Sequence, residues 1–234
     1  MADADALKRA VGLEAASLVE DGMTLGLGTG STVGYFLLFL ADRLNCGELH
    51  NILGVPTSLR TAKEARELGI PLTSLEKNPI LDLTVDGADE VDSRLNLIKG
   101  LGGALLREKM VAQASGRLAI MVDESKIVTV LCEKTPVPVE VVQFGWEIHE
   151  HFLESVGGHP VIRRLSDGQP VTTDNGNYII DCHFPGGLDD PEGLEGALAA
   201  QAGVVESGLF LGMATRVLVS GEKGMRTLFP DELT

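Results

Sequence analysis

The sequence predicts an α/β protein: a mostly parallel sheet with helices on both faces, carrying a smaller inserted α+β domain. Three observations lead there. Short apolar runs alternate with helical periodicity through the first 126 residues, as a parallel sheet covered on both faces requires. Glycine is abundant, 28 of 234 residues, and it gathers where strands give way to helices. Beyond Lys126 the order changes to a Pro-containing strand and then a helix, two strands, a helix and a strand.

The elements follow in order. Leu7, Val11, Ala15 and Leu18 recur at helical spacing and predict a helix over 4–20. MTLGLG (23–28) reads as a short buried strand ending in glycine. From Ser31 the period is helical again, with Val33, Phe36, Leu37, Leu40 and Leu44 on one face. NILGV (51–55) is a second strand, and a helix over 58–68 ends at Gly69, a C′ position suited to glycine. Strands are expected at 70–73 and 81–85, then a helix over 104–115 and the strand LAIMV (118–122). TPVPVEVV (135–142) opens the second pattern. A helix (146–156), strands at 161–165 and 177–181, a helix (191–200) and GVVES (203–207) follow. That β-α-β-β-α-β order is the split arrangement of a ferredoxin-like unit. Residues 209–227 return to short strands. The expected organisation is a Rossmann-like domain of 1–130 and 208–234, with a ferredoxin-like α+β domain inserted at 131–207.

Charge removes several classes of function. Nineteen basic residues against 34 acidic ones leave a net charge of −15, which repels nucleic-acid backbones and anionic lipid. No nucleic-acid or membrane partner is expected. Cys46, Cys132 and Cys182 form no CxxC pair, so they are read as three reduced, mostly buried thiols and neither a disulfide framework nor a zinc site. The opening MADADALKRAVG has no apolar signal region, and the longest apolar run, Val33 to Ala41, is interrupted by Gly34. A cytoplasmic protein is expected.

Three stretches carry chemistry. LGLGTGSTVG (25–34) joins a strand to a helix through Gly26, Gly28 and Gly30 with Thr29, Ser31 and Thr32. Backbone N–H groups at a helix start and nearby hydroxyls suit a phosphate. As a dinucleotide fingerprint the stretch fails, because Ser31 stands where a third glycine belongs. VDGADEVD (85–92) places Asp86, Asp89, Glu90 and Asp92 at the end of an apolar strand. Alone, it fits a solvated surface, a metal site or proton chemistry. LIKGLGGALLREK (97–109) sets Lys99 before Gly100, Gly102 and Gly103, with Glu108 a turn into the next helix. In a parallel sheet such turns gather at the carboxyl ends of the strands, where ligands bind. His149 and His151 are two apart and share no helix face, and no GxSxG elbow occurs.

GTGST (28–32), VDGADEVD (85–92) and KGLGGALLREK (99–109), supported in order by DESK (123–126), PVPVEV (136–141) and TDNGN (173–177), resemble the type A ribose-5-phosphate isomerase family. The resemblance spans nearly the whole chain. It implies interconversion of ribose 5-phosphate and ribulose 5-phosphate, in the non-oxidative pentose phosphate pathway, without metal or other cofactor. It also implies a homodimer or homotetramer whose partner is a small sugar phosphate. By that resemblance Thr29, Gly30, Ser31 and Thr32 line the substrate pocket, Asp86, Gly87, Ala88 and Asp89 form a second wall, and Lys99, Gly100, Leu101 and Gly102 a third. Glu108 is the proton acceptor, Asp86, Asp89 and Lys99 assist it, and Lys126 contacts the substrate near its phosphate. Leu101 departs from a frequent Gly and Leu106 from a usual Thr. The chemistry is coherent: a single carboxylate can carry a proton between adjacent carbons through an ene-diolate, and a lysine can stabilise the developing oxyanion. Two alternatives remain at this stage. One is a non-catalytic sugar-phosphate sensor, which needs neither Glu108 nor Lys99. The other is a magnesium-dependent phosphotransferase with Asp86, Asp89 and Asp92 as ligands.

Overall fold

The computed structural model describes residues 4–230. In chain order the elements begin with α1 (Ala4–Ser17), β1 (Thr24–Leu27), α2 (Ser31–Asn45), β2 (Leu53–Pro56), α3 (Leu59–Glu67) and β3 (Leu83–Gly87). Next come β4 (Glu90–Val91), β5 (Leu97–Ile98), α4 (Leu105–Gln113), β6 (Leu118–Asp123) and β7 (Val137–Val141). α5 (Ile148–Ser155), β8 (His159–Ile162), β9 (Tyr178–His183), α6 (Pro191–Ala199) and β10 (Val204–Ser207) follow, then β11 (Leu209–Phe210), β12 (Arg216–Gly221) and β13 (Gly224–Leu228). They fall into two compact units, the first drawn from residues up to 88, 107–127 and from 213 onward, the second from 89–106 and 128–212.

The first unit is built on a six-stranded sheet of order β13-β12-β6-β3-β1-β2. All its pairs are parallel except β12 with β13. Its central strands are buried along their length, as in β3 and β6, because helices cover both faces. Leu25, Leu27 and Val85 from the strands meet Phe36, Leu37 and Leu40 of α2 and Val11 and Ala15 of α1 in one core. α1 and α2 cross closely at Gly12, where a Cβ would stand 2.8 Å from the Cβ of Tyr35. The strand expected at 70–73 shrinks to a single bridge between Gly54 and Leu72. Pro71 there has no N–H to donate, so the ladder cannot extend.

The second unit carries β7-α5-β8-β9-α6-β10 as a four-stranded antiparallel sheet of order β10-β7-β9-β8, the ferredoxin-like pattern read from the sequence. Val137, Val139, Val141, Ile180 and Cys182 of its strands pack on Leu153 of α5 and on Leu194 and Leu198 of α6. A small sheet of order β11-β5-β4 completes it. Cysteine burial is uneven: Cys182 is buried, Cys132 half-buried and Cys46 exposed. Burial, with a smaller push from Glu90, raises the Cys132 thiol to about 12. Among the described residues no helix is long and apolar enough to cross a membrane.

His149 on α5 is buried against Gly203, and burial lowers its pKa below the usual 6.5. The unfolded chain therefore binds a proton here that the folded chain refuses. The stability gained by keeping the ring neutral is complete above pH 6.5 and is lost as pH falls below it. His149→Gln removes this proton uptake. Thermal unfolding followed between pH 7 and 5 is expected to give a shallower acid-side decline for the variant than for the wild type.

Candidate active site

In the first unit the strand order reverses between β1 and β3, which lie side by side with their carboxyl ends at the same edge. Open α/β sheets bind ligands at such a switch point. Here the chain leaves β1 through Gly28, Thr29 and Gly30, and β3 ends at Asp86 and Gly87. Asp86 is buried. Its Oδ1 accepts the Thr29 N–H at 3.0 Å and the Gly87 N–H at 2.7 Å. The three glycines of the β1 turn serve three purposes. At Gly26 a Cβ would fall 1.8 Å from Thr84 Oγ1, so this glycine is set by sheet packing. At Gly28 it would fall 2.2 Å from Asp86 Oδ1, so this one makes room for the carboxylate. Gly30 caps α2 with φ 137°, a conformation open at little cost only to glycine.

The Thr29 side chain meets three other hydroxyls. Its Oγ1 sits 2.7 Å from Thr57 Oγ1, 2.9 Å from Ser58 Oγ and 3.1 Å from Thr61 Oγ1. Thr61 Oγ1 donates to the Gly28 carbonyl at 2.8 Å. Ser58 also caps α3 by accepting the Thr61 N–H at 3.0 Å. These hydroxyls fix the turn after β1, so Thr29 holds Asp86 through its N–H while its side chain faces the protein. Thr57, Ser58 and Thr61 were not marked by the sequence, where PTSLRT reads only as a helix start.

α4 runs back along β3. Residues just past its C-terminus bond to the start of that strand, with Leu81 N–H donating to the Ala114 carbonyl and Gly116 N–H to the Leu81 carbonyl, both at 2.8 Å. Val111 of α4 faces the space above Gly26. Glu108, one turn earlier on the same helix face, is therefore raised toward the edge that holds Gly28 and Asp86. Glu108 and its neighbour Lys109 are both buried. Ser31 is exposed and Thr32 half-buried in the first turn of α2, whose N-cap supplies no side-chain acceptor. Lys126 stands in a 3₁₀ turn directly after β6, half-buried.

Ala88 ends the first unit's stretch after β3, and the remaining predicted residues, Asp89, Lys99, Gly100, Leu101 and Gly102, belong to the second unit. Asp89 Oδ2 accepts the Leu101 N–H at 3.0 Å. Lys99 is buried, with its ammonium 5.5 Å from the centre of the Phe210 ring. Gly100 has φ 105°, whereas Leu101 keeps a negative φ that any residue adopts, so the departure from glycine there needs no strain. The acidic stretch divides by task. Glu90 is consumed by the backbone, accepting N–H bonds from Cys132, Lys134 and Thr135 at 2.6–2.7 Å. Asp92 closes a turn onto Arg94 and Asn96, which removes it from the ligand set of a phosphotransferase. Among the described residues no cluster of three or more His, Cys, Asp or Glu side chains is arranged to hold a metal ion. Sequence reasoning also passed over Arg163, which contacts the loop of Lys99, and Asp181, which pairs with Arg163.

The chain is similar to known proteins over most of its length. Residues 53–224 match the family model described as ribose 5-phosphate isomerase A (phosphoriboisomerase A). A curated relative from Roseiflexus castenholzii named ribose-5-phosphate isomerase A is 52% identical over 218 residues, 93% of each chain. A D-ribose-5-phosphate isomerase solved in complex with phospho-erythronic acid superposes with a TM-score of 0.94 at 42% identity, over 97% of this chain and 99% of that one. Ribose 5-phosphate isomerase from Plasmodium falciparum does so with a TM-score of 0.93 at 42% identity, over 96% and 98%.

Proposed function

Since this chain belongs to the ribose 5-phosphate isomerase A family, we propose that it interconverts ribose 5-phosphate and ribulose 5-phosphate with Glu108 as the proton-carrying base. The observation that carries the assignment of residues is the carboxyl edge of the first unit's sheet. There Asp86 is fixed by two backbone N–H groups and Glu108 is raised toward the same edge.

Isomerisation removes the proton on C2 of the aldose and returns it to C1. Glu108 takes and returns that proton, which requires a carboxylate within hydrogen-bond reach of both carbons. Asp86 accepts from and donates to the sugar oxygens as the carbonyl shifts from C1 to C2. Asp89 is assigned the same exchange, and Lys99 the stabilisation of negative charge on the ene-diolate oxygen. The first turn of α2, with Ser31 exposed and Thr32 half-buried, offers N–H and hydroxyl donors for the phosphate, and Lys126 adds a positive charge. None of these roles uses a metal ion. A solved relative's complex with phospho-erythronic acid supports a site that accepts a four-carbon phosphorylated acid, close in shape to the charged intermediate. The sensor alternative explains neither the buried Glu108 nor Lys99, and the relatives are named as isomerases. The assignment extends to a cytoplasmic homodimer or homotetramer, on the strength of the family.

The test is turnover of ribose 5-phosphate in excess EDTA. Full activity is expected. Activity that vanishes in EDTA and returns with magnesium would sink the metal-free mechanism.

A further inference from the structure

Arg163 lies on the segment that follows β8, at the centre of three contacts within the second unit. Its Nη1 donates to the carbonyl of Gly100 at 3.0 Å and to that of Leu101 at 3.1 Å. Its Nε donates to Asp181 Oδ2 at 2.8 Å, and Nη2 completes a two-point pair with Asp181 Oδ1. Both side chains are largely buried, 15% and 18% exposed. Asp181 is itself built into the sheet, paired with Pro138 on β7 and with Val161 on β8. The guanidinium is thus anchored on rigid strands and reaches into a loop that is not rigid by composition.

That loop is Lys99–Gly103. Gly100 and Gly103 take positive φ, 105° and 78°, and Leu101 and Gly102 are exposed. A glycine-rich loop has many conformations available, so contacts select its observed path. Its ends are held by backbone bonds, Lys99 N–H to the Gly208 carbonyl at 2.9 Å and Gly103 N–H to the Gly100 carbonyl at 3.0 Å, and two side chains hold its middle. Arg163 gathers two successive carbonyls onto one nitrogen, and Asp89 accepts the intervening Leu101 N–H. With both carbonyls turned to the guanidinium, the Leu101 N–H is directed at Asp89, and the Asp89 carboxylate is oriented in return. Burying an ion pair is costly in stability terms, and arginine's flat fork is needed to serve Asp181 and two carbonyls together.

We propose that Arg163, held by Asp181, is a positioning residue for the isomerase reaction, fixing the Lys99–Gly103 loop and through it Asp89. The inference rests on the reading of Asp89 as a substrate-contacting group. Neither Arg163 nor Asp181 touches the reacting atoms.

A double-mutant cycle on the full chain tests it, using kcat and KM for ribose 5-phosphate with thermal unfolding as control. Arg163→Met is expected to lower kcat by about 10²-fold, the cost of displacing a catalytic group by roughly an ångström, with KM changed less. Arg163→Lys, which keeps one donor, should recover part of that loss. In an Asp89→Asn background the Arg163 substitution should cost less than about threefold, because the group it positions is already disabled. If Arg163→Met unfolds, the Arg163→Met/Asp181→Asn pair, which buries no lone charge, takes its place in the cycle. Folded Arg163 variants with near-wild-type kcat, or losses that multiply with Asp89→Asn, overturn the proposal and leave the assignment of Asp89 intact. An Asp89→Asn enzyme of full activity overturns both, and so separates the two failures.

Discussion

Glu108→Gln is expected to lower kcat for ribose 5-phosphate by roughly 10²–10⁴-fold, the usual worth of a positioned base. The amide has the size and much of the hydrogen-bonding capacity of the carboxylate but cannot take a proton. Glu108 is 4% exposed, so water has poor access to replace it as the base. The fold should survive, since the change leaves shape nearly unaltered. The direct readout is exchange of the C2 proton of ribose 5-phosphate with solvent deuterium, which should fall in step with turnover. Rapid exchange in a folded Glu108→Gln enzyme would move the base elsewhere, with Asp86 and Asp89 the next groups to replace.

Gly28→Ala should be nearly as damaging, although the side chain it adds is a single methyl group. That methyl would lie 2.2 Å from Asp86 Oδ1 and 2.6 Å from the Asp86 Cα. The second contact is with backbone inside a central strand, so a rotamer change cannot relieve it. Either β1 and β3 separate or the Asp86 carboxylate leaves the Thr29 and Gly87 N–H groups. Overpacking of this kind costs about 1–3 kcal/mol of stability. The displacement of Asp86 should lower kcat by about 10²-fold. Denaturant unfolding and steady-state kinetics read the two effects separately. A variant with wild-type kcat would show that the position of Asp86 is not critical to turnover.

Much of this was legible in the sequence, and the reason differs between elements. Helices such as α2 and strands such as β6 declare themselves because their apolar residues recur at a period that one face of an element must satisfy. The βαββαβ order of the second unit followed from counting such elements. The site was legible as motifs, since the Gly-rich turns and the acidic stretch are local in the chain. What escaped was non-local. Thr57, Ser58 and Thr61 matter because β2 lies beside β1, a pairing that their own residues do not encode. Arg163 and Asp181 read as ordinary strand positions, and only the register of β8 on β9 brings them together. β5 is too short to show a period, and its partner β11 lies far along the chain. The strand expected at 70–73 failed for a reason the sequence did contain, the missing N–H of Pro71.

The place of β12 between β6 and β13 bears on how the chain is made. β6 leaves the ribosome early, but its neighbour β12 follows only after residues 124–215 have been synthesised. At translation rates of about 5–20 residues per second, the apolar edge of LAIMV waits seconds for its partner. An unpaired strand edge is a template for the wrong chain. A nascent chain halted before residue 216 therefore holds every predicted catalytic side chain and still lacks two strands, β12 and β13, of the first unit's sheet. For this protein the vulnerable interval is set by the clock of translation, and chaperone demand should track it more closely than equilibrium stability.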